Sequence, residues 1–145
     1  MLHYGVEPEQ EAVKTNIIGA QNVIETSFTN NVKKVIALST DKASSPINLY
    51  GATKLTADKL FIAGNIYGRP RGTTFSVVRY GNVVNSTGSI IPVLWNHIQN
   101  NTTATLYHEN MTRFLMTIDE AIDLIEQCLS YSSHGCSILP ICKSA

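Results

Sequence analysis

Apolar residues recur at three- and four-residue steps near the start of the chain and predict an amphipathic helix there. The apolar stripe consists of Ala12, Val13, Ile17, Ala20, Val23, Ile24 and Phe28. Pro8 suits the first turn of this helix, and Asn30 and Asn31 end it. Gly19 lies within the stripe, where glycine costs about 1 kcal/mol relative to alanine, a cost that a close helix contact would offset.

Two short apolar runs follow, over residues 35–38 and 75–80, and each predicts a strand. Hydrophobicity without alternation is typical of strands that are covered on both faces, as in a parallel sheet. Between them a second helix is predicted over about 48–67, closed by Gly68, Pro70 and Gly72. The order helix, strand, helix, strand indicates an α/β domain with a parallel sheet.

The later part of the chain is less regular. The pattern predicts a helix over 90–98, a short strand over 104–107 and an extended segment over 112–116. The sequence Thr-Ile-Asp-Glu at 117–120 is a capping box, which predicts the start of a helix through about residue 131. A last strand is predicted over 138–141.

The composition is that of an ordinary globular domain. The chain has 145 residues, 43% of them hydrophobic, and eleven basic side chains balance eleven acidic ones. We therefore expect one domain over residues 1–145 and exclude a generally basic nucleic-acid binder. No apolar run could span a bilayer and no secretory signal is visible, so we expect a cytoplasmic protein without a membrane partner. The three cysteines are expected to be reduced there, and the four histidines lack metal-ligand spacing, so no metal site is expected.

Tyr50 and Lys54 are the sharpest candidate pair, because a spacing of four places them on one helix face. An ammonium near a phenol stabilises the phenolate and lowers the pKa of the tyrosine. Such a tyrosine can accept a proton from a sugar hydroxyl while hydride leaves the same carbon. By itself the pattern is weak, since any amphipathic helix can contain it.

Asp41 and Lys42 follow the first predicted strand, where ligands bind in open α/β sheets. The alternative is a solvated surface ion pair. No two glycines of the chain are separated by a single residue, so the chain contains no GxGxxG phosphate loop.

Three stretches of the chain, 14–24, 32–61 and 75–84, resemble the extended short-chain dehydrogenase/reductases. They are most similar to the soluble, configuration-inverting UDP-N-acetylglucosamine 4,6-dehydratases. Thr-Asp-Lys at 40–42 followed by Tyr-x-x-x-Lys at 50–54 is a specific combination, and Met-Thr-Arg-Phe at 111–114 belongs to the same pattern. Membrane-anchored relatives tend to carry methionine at the tyrosine position, so Tyr50 indicates the soluble branch. The resemblance extends to about residue 140.

The resemblance implies a partial Rossmann-like, doubly wound parallel sheet and an NADP-dependent lyase, with NAD as a second choice of cofactor. It implies that Tyr50, assisted by Lys54, takes the proton of the sugar 4-hydroxyl and that both residues contact the cofactor. Lys42 then removes the C5 proton, and Asp41 protonates the departing 6-hydroxyl. Reprotonation on the opposite face inverts C5.

The resemblance also implies supporting roles. Thr40 would bind a substrate oxygen, Asn16 would support the active site, and Gly81 would let the backbone approach the cofactor. Asn82 would contact the UDP-sugar, and Arg113 would bind its diphosphate through the guanidinium. The alternatives were a helix-surface amide for Asn16 and a surface salt bridge for Arg113.

The chain departs from the family pattern in two places and in length. Residues 85–89 read Asn-Ser-Thr-Gly-Ser where the family usually has Gly-Ser-Arg-Gly-Ser, and Asn110 replaces a common arginine. Family members are about twice as long, with the glycine-rich half first, so we expect a middle portion whose sheet lacks its central strands and exposes an apolar edge.

Two other functions remain open. The first is a non-catalytic remnant that binds sugar nucleotide weakly or associates with full-length homologues. The second is a nucleotide-sugar C4 epimerase, against which the acid–base pair at 41–42 argues.

In the superfamily two subunits pair through the helices that carry Asn16 and Tyr50, so we expect a homo-oligomer formed by helices near 10–29 and 48–67.

Overall fold

A nearly continuous helix with a π-helical interruption opens the described part of the chain. The computed structural model describes residues 9–86, 89–105, 108, 110–131 and 137–138. The helix consists of α1 (Glu9–Val13), a π-helical segment (Lys14–Ile18) and α2 (Gly19–Thr29). Its extent within the described residues agrees with the predicted helix, whereas the proposed Pro8 start lies outside them.

Parallel strands joined by helices make up the rest of the fold. In chain order they are β1 (Lys34–Thr40), α3 (Leu49–Gly68), β2 (Thr74–Tyr80), β3 (Asn82–Val83), α4 (Ile90–Gln99), β4 (Leu115–Met116), α5 (Ile118–Tyr131) and β5 (Ser137–Ile138). Short 3-10 turns, Asp41–Ala43 and Arg69–Arg71, follow β1 and α3. One sheet has the order β1-β2-β5, with Lys34 opposite Thr74, and β3 pairs with β4 in parallel.

Helices cover the main sheet on both faces. Phe75 and Val77 point from β2 toward α2 and α3 and are fully buried. The ring of Phe75 meets that of Phe28 edge-on, with 5.4 Å between centroids. Alternation along β2 points Val78 to the opposite face, where α5 packs with its buried Cys128. This architecture confirms the predicted α/β class with a parallel sheet.

The exposure of β1 corrects one expectation, whereas its edge position agrees with the exposed apolar edge expected of a middle portion. Its apolar run was predicted to be covered on both faces, yet Leu38 is 43% exposed. Within the described residues β1 pairs with β2 alone, so its other edge has no neighbouring strand. The prediction that β1 is covered on both faces is therefore wrong for Leu38 in the part of the chain that the structure describes.

The first helix also differs from its predicted packing. Val13 and Val23 were placed in the apolar stripe, but they are 37% and 48% exposed because the helix buries a narrower face. A Cβ added to Gly19 would lie 3.7 Å from the Lys14 carbonyl oxygen and near no other described residue. The close helix contact that would offset its cost is thus absent from the described part of the chain.

Two helix starts show how sequence sets local structure. The Asn48 side chain accepts a hydrogen bond from the Gly51 amide at 2.9 Å and caps α3. At α5, Glu120 N donates to Thr117 Oγ1 at 3.1 Å and Thr117 N donates to the Glu120 carboxylate at 2.7 Å. This reciprocal pair is the predicted capping box.

The remaining predicted elements agree in part. The helix predicted over 90–98 is α4, and the extended segment over 112–116 contains β4. Residues 104 and 105 form no strand, and residues 106 and 107 lie outside the described part. The last strand begins at Ser137, one residue early, and residues 139–141 lie outside the described part, as do Cys136, Cys142 and Gly88.

Ser45 offers a test of backbone strain in the loop between β1 and α3. Its φ of 55° lies in the left-handed region, which costs an L-residue about 1–2 kcal/mol. Glycine adopts this conformation freely but adds unfolded-state entropy, so Ser45→Gly should raise the free energy of unfolding by about 0.5–1 kcal/mol. Urea unfolding measures this difference. Ser44→Gly is the matched control, because Ser44 has an ordinary φ of −88° and glycine there should lower the free energy of unfolding.

Candidate active site

The Thr40-Asp41-Lys42 segment forms a rigid turn at the carboxyl end of β1. Thr40 Oγ1 donates to Asp41 Oδ1 at 2.9 Å and accepts from the Lys42 amide at 3.3 Å. The amide of Ser44 closes the turn by donating to the Asp41 carbonyl oxygen at 2.9 Å. Thr40 is therefore bonded to both predicted proton-transfer residues, while its contact with substrate stays a prediction.

The ammonium of Lys42 joins three predicted site residues. Lys42 Nζ lies 3.1 Å from Asp41 Oδ1 and 3.2 Å from Asn82 Oδ1. The Lys42 and Asp41 side chains are 30% and 33% exposed. The ion pair considered as an alternative thus exists, but it is partly covered and is held on a second side by the β3 amide. A carboxylate, an ammonium and an amide oxygen meet where β1 and β3 approach each other.

Tyr50 and Lys54 lie one turn apart in the first half of α3, and Tyr50 is 37% exposed. Lys54 Nζ donates to the Leu38 carbonyl oxygen of β1 at 2.8 Å. Burial lowers the pKa of Lys54 below its usual 10.5, and the negative charge of Asp58 partly opposes this shift. The lowered phenol pKa expected of Tyr50 stays a prediction.

Asn16 lies in the π-helical segment and connects the first helix to α3. Its Nδ2 donates to Thr53 Oγ1 at 3.0 Å, and Thr53 Oγ1 donates to the Tyr50 carbonyl oxygen at 3.0 Å. Isolated π turns are frequent at functional sites. The side chain is therefore not a free helix-surface amide, because it holds the turn that carries Tyr50.

Gly81 and Arg113 have other contacts in the structure, and their expected ligand roles stay predictions. A Cβ on Gly81 would lie 2.9 Å from Phe114 Cβ and 2.7 Å from its carbonyl oxygen, so the missing side chain makes room for β4. Approach of the cofactor to Gly81 stays a prediction. Arg113 is exposed, and its Nη1 donates to the Thr112 carbonyl oxygen at 2.7 Å. No described contact joins Arg113 to the Lys42 cluster.

Three residues that build the site went unnoticed in the sequence. A Cβ on Gly51 would meet the Lys42 carbonyl oxygen at 2.5 Å, so α3 packs directly on the Asp41–Ala43 turn. Asp58 and Arg79 form a nearly buried ion pair with 2.7 Å between Oδ2 and Nε. The sequence could have identified Asp58, because it lies one helical turn after Lys54 and on the same helix face.

The described residues suit one end of a nicotinamide dinucleotide. A phenol and a partly desolvated ammonium lie one turn apart beside the carboxyl end of β1, and they could hold the nicotinamide ribose. The chain has no GxGxxG turn for the diphosphate.

Within the described residues no cluster of histidine, cysteine or acidic side chains could hold a metal ion. None of the helices described here is long and apolar enough to cross a membrane.

The pKa shift of Lys54 predicts a pH-dependent stability. Between its depressed folded-state pKa and 10.5 the unfolded chain binds more protons, so the free energy of unfolding rises with pH across this window. Below the folded-state pKa of Lys54, burial of its charge lowers the free energy of unfolding by the full amount. Above 10.5 this loss of stability is absent. In Lys54→Met the free energy of unfolding, measured by urea unfolding at pH values up to 10.5, should not show this rise. Lys59→Met, at an exposed lysine of the same helix, is the matched control.

The chain has relatives in several organisms. It matches a family model described as polysaccharide biosynthesis protein over residues 6–143. It is 54% identical over 125 residues to the uncharacterized membrane protein MJ1061 of Methanocaldococcus jannaschii, covering 86% of this chain and 38% of the relative. It is 51% identical over 116 residues to an inverting UDP-N-acetylglucosamine 4,6-dehydratase of Campylobacter jejuni, covering 79% and 35%. A UDP-glucose 4-epimerase of Rickettsia bellii is 45% identical over 125 residues, covering 86% and 37%.

A solved structure has the same fold. The X-ray structure of Pen from Bacillus thuringiensis superposes with a TM-score of 0.91 at 38% identity, covering 99% of this chain and 46% of that chain. The chain spans 35–38% of the length of the curated relatives above. These matches confirm the resemblance inferred from the motifs and the partial Rossmann-like fold.

Proposed function

Because the chain belongs to the polysaccharide biosynthesis protein family, we propose that it is the catalytic middle portion of an inverting UDP-N-acetylglucosamine 4,6-dehydratase. In this proposal residues 1–145 form part of one domain that acts with NADP, or with NAD in its place, on a UDP-sugar in the cytoplasm. It is active only when the glycine-rich half that the family carries is supplied from elsewhere. The observation that carries the proposal is the cluster of Asp41, Lys42 and Asn82 around a partly covered ammonium. Oxidation at C4 alone requires no such acid–base pair, whereas loss of water from C5 and C6 does.

The first part of the mechanism assigns Tyr50 as the base at the 4-hydroxyl. Its phenolate accepts the hydroxyl proton, and the Lys54 ammonium favours the phenolate. When bound, NADP supplies the hydride acceptor at C4 and the hydride donor at C6. The C4 ketone withdraws electrons and makes the C5 proton acidic.

The second part uses the Asp41–Lys42 pair. Transfer of one proton from Lys42 Nζ to Asp41 Oδ1, 3.1 Å away, converts the ion pair into a neutral amine and a carboxylic acid. The mechanism requires this neutral form, because only a free amine can take the C5 proton and only a carboxylic acid can protonate the departing hydroxyl. The amine then takes the C5 proton, the acid gives its proton to the 6-hydroxyl, and water leaves. C5 finally receives a proton on the opposite face.

Turnover in deuterium oxide tests this proposal. Incubation of the chain, supplied with the glycine-rich half that family members carry, with NADP and UDP-N-acetylglucosamine should give a 4-keto-6-deoxy sugar with one deuterium at C5, detected by mass spectrometry and NMR. The deuterium arises because C5 is reprotonated from solvent. Absence of the 4-keto product would contradict the dehydratase.

The two alternatives give different results in the same experiment. A C4 epimerase, favoured by the identity to the Rickettsia relative, interconverts UDP-glucose and UDP-galactose without deuterium at C5. A non-catalytic remnant converts neither sugar but shows weak UDP-sugar binding in an NMR titration, or it co-purifies with a full-length homologue.

We also propose that two copies pair through the helices near 10–29 and 48–67. Exposed apolar side chains on these helices support this pairing, among them Val13, Ile18 and Val23 on the first and Ile66 and Tyr67 on the second. Sedimentation velocity should then show a dimer or a larger assembly. A monomer at all accessible concentrations would contradict the pairing.

A further inference from the structure

A nearly buried ion pair lies on the Lys54 face of α3 and has no part in the proposed proton transfers. Asp58 Oδ2 accepts a hydrogen bond from Arg79 Nε at 2.7 Å, and the two side chains are 5% and 16% exposed, respectively. Asp58 is one helical turn after Lys54, and Arg79 is the penultimate residue of β2. The pair therefore fastens α3 to the carboxyl end of β2, the end at which the candidate site lies.

The same guanidinium makes a second contact, with the loop after β1. Arg79 Nη1 donates to Ser44 Oγ at 3.2 Å. Ser44 is the residue whose amide closes the Asp41–Ala43 turn, at 2.9 Å from the Asp41 carbonyl oxygen. One side chain thus connects the helix that carries Lys54 with the turn that carries Asp41.

The chemistry of arginine explains why this position needs a guanidinium. Its nitrogens form a rigid planar fork, so anchoring Nε on Asp58 fixes the direction of Nη1 toward Ser44. Removal of either partner of a buried charge pair leaves an uncompensated charge, so the orientation is strongly held. A lysine ammonium at the end of a flexible stem lacks a fixed fork that orients it toward both partners.

We propose that Arg79 is a positioning residue for Asp41 and Lys42, and that Asp58 holds its guanidinium in the orientation that reaches Ser44. The catalytic consequence rests on the proposed function, whereas the order imposed on the turn does not. The effect on Lys42 is transmitted through the Ser44 amide and the turn that this amide closes.

Amide hydrogen exchange of the full chain, followed by NMR, tests the structural part. Ser44→Ala removes the acceptor of Arg79 Nη1 while keeping the amide that closes the turn. The protection factor of this amide should fall about tenfold, the loss expected for one hydrogen bond to a charged group. Because Ser44 is exposed, the free energy of unfolding should fall by no more than this tenfold change, about 1.4 kcal/mol. Ser44→Thr keeps a hydroxyl and should restore protection.

Arg79→Lys should lower the same protection factor, and Arg69→Lys, an exposed arginine next to the end of α3, is the matched control. Unchanged protection in Ser44→Ala would overturn the proposal. So would a loss in Arg79→Lys that is equal at amides throughout the sheet, because that pattern reports general destabilisation. Ser44→Ala decides the matter if Arg79→Lys does not fold.

Turnover separates this inference from the proposed function. We expect Ser44→Ala to lower kcat about tenfold with KM unchanged, since the turn holds the proton-transfer residues rather than the substrate. Reduced protection with an unchanged kcat would overturn the positioning role. If the unaltered protein, supplied with the glycine-rich half, turns over no UDP-sugar, the proposed function fails, and the exchange experiment still decides whether Arg79 orders the turn.

Discussion

Replacement of Lys42 with alanine is expected to lower dehydratase turnover about 1,000-fold, the effect of removing a positioned general base. The variant loses the only amine that lies beside Asp41 and Asn82 within the described residues. Without it the C5 proton has no acceptor after C4 oxidation, so water is not lost. The measurement is the rate at which the 4-keto-6-deoxy sugar appears, with NADP and substrate saturating.

The fold should survive this replacement. Lys42 is partly exposed, so the free energy of unfolding should change by less than about 1 kcal/mol. Lys59→Ala removes an exposed lysine from α3 and is the matched control, with turnover expected to stay normal. Normal turnover in Lys42→Ala would remove Lys42 from the mechanism.

Gly51→Ala is expected to destabilise the protein by about 3 kcal/mol, at the upper end of the usual cost of overpacking. The added Cβ would lie 2.5 Å from the Lys42 carbonyl oxygen and 2.9 Å from Pro46 Cβ. Neither neighbour is the end of a flexible side chain, so α3 must move away from the Asp41–Ala43 turn. Urea unfolding measures the loss of stability.

The same change should also impair catalysis. A displacement of about 1 Å at the turn carrying Lys42 can cost about 100-fold in rate, so turnover should fall even where the variant is folded. Gly19→Ala is the matched control, because its Cβ would make only an ordinary 3.7 Å contact with the Lys14 carbonyl oxygen and alanine there should stabilise the helix by about 0.5–1 kcal/mol. If Gly51→Ala unfolded at the same urea concentration as the unaltered protein, the contact between Gly51 and the Lys42 carbonyl oxygen would not be tight.

Elements governed by local interactions could be predicted from the sequence. The spacing of apolar residues identified α3 and both long strands to within one or two residues at each end. The start of α5 was predictable because Thr117 and Glu120 satisfy each other's backbone amides without help from the rest of the fold. The π-helical segment was not predictable, since its sequence differs little from an ordinary helix.

Contacts between distant residues were beyond a reading of the sequence alone. Lys42 and Asn82 were each identified as candidates by resemblance, yet their mutual contact joins residues forty positions apart. The bond from Arg79 to Ser44 spans thirty-five positions, and neither residue stood out. Gly81 was identified as a candidate by resemblance, yet its close contact with Phe114, thirty-three positions away, appeared only in the structure.

By itself the sequence determined the long helices, the two long strands and which residue types stand at the end of β1. These features follow from periodicity, capping and local propensity, which act over a few residues. Only the tertiary structure decided that Leu38 of β1 is exposed, that Lys54 reaches the Leu38 carbonyl oxygen, and that Lys42 is held between Asp41 and Asn82. These outcomes depend on how α3, the pair of β1 and β2, and the pair of β3 and β4 pack together. The same pattern of apolar residues is compatible with several such packings, so the sequence pattern alone does not select one.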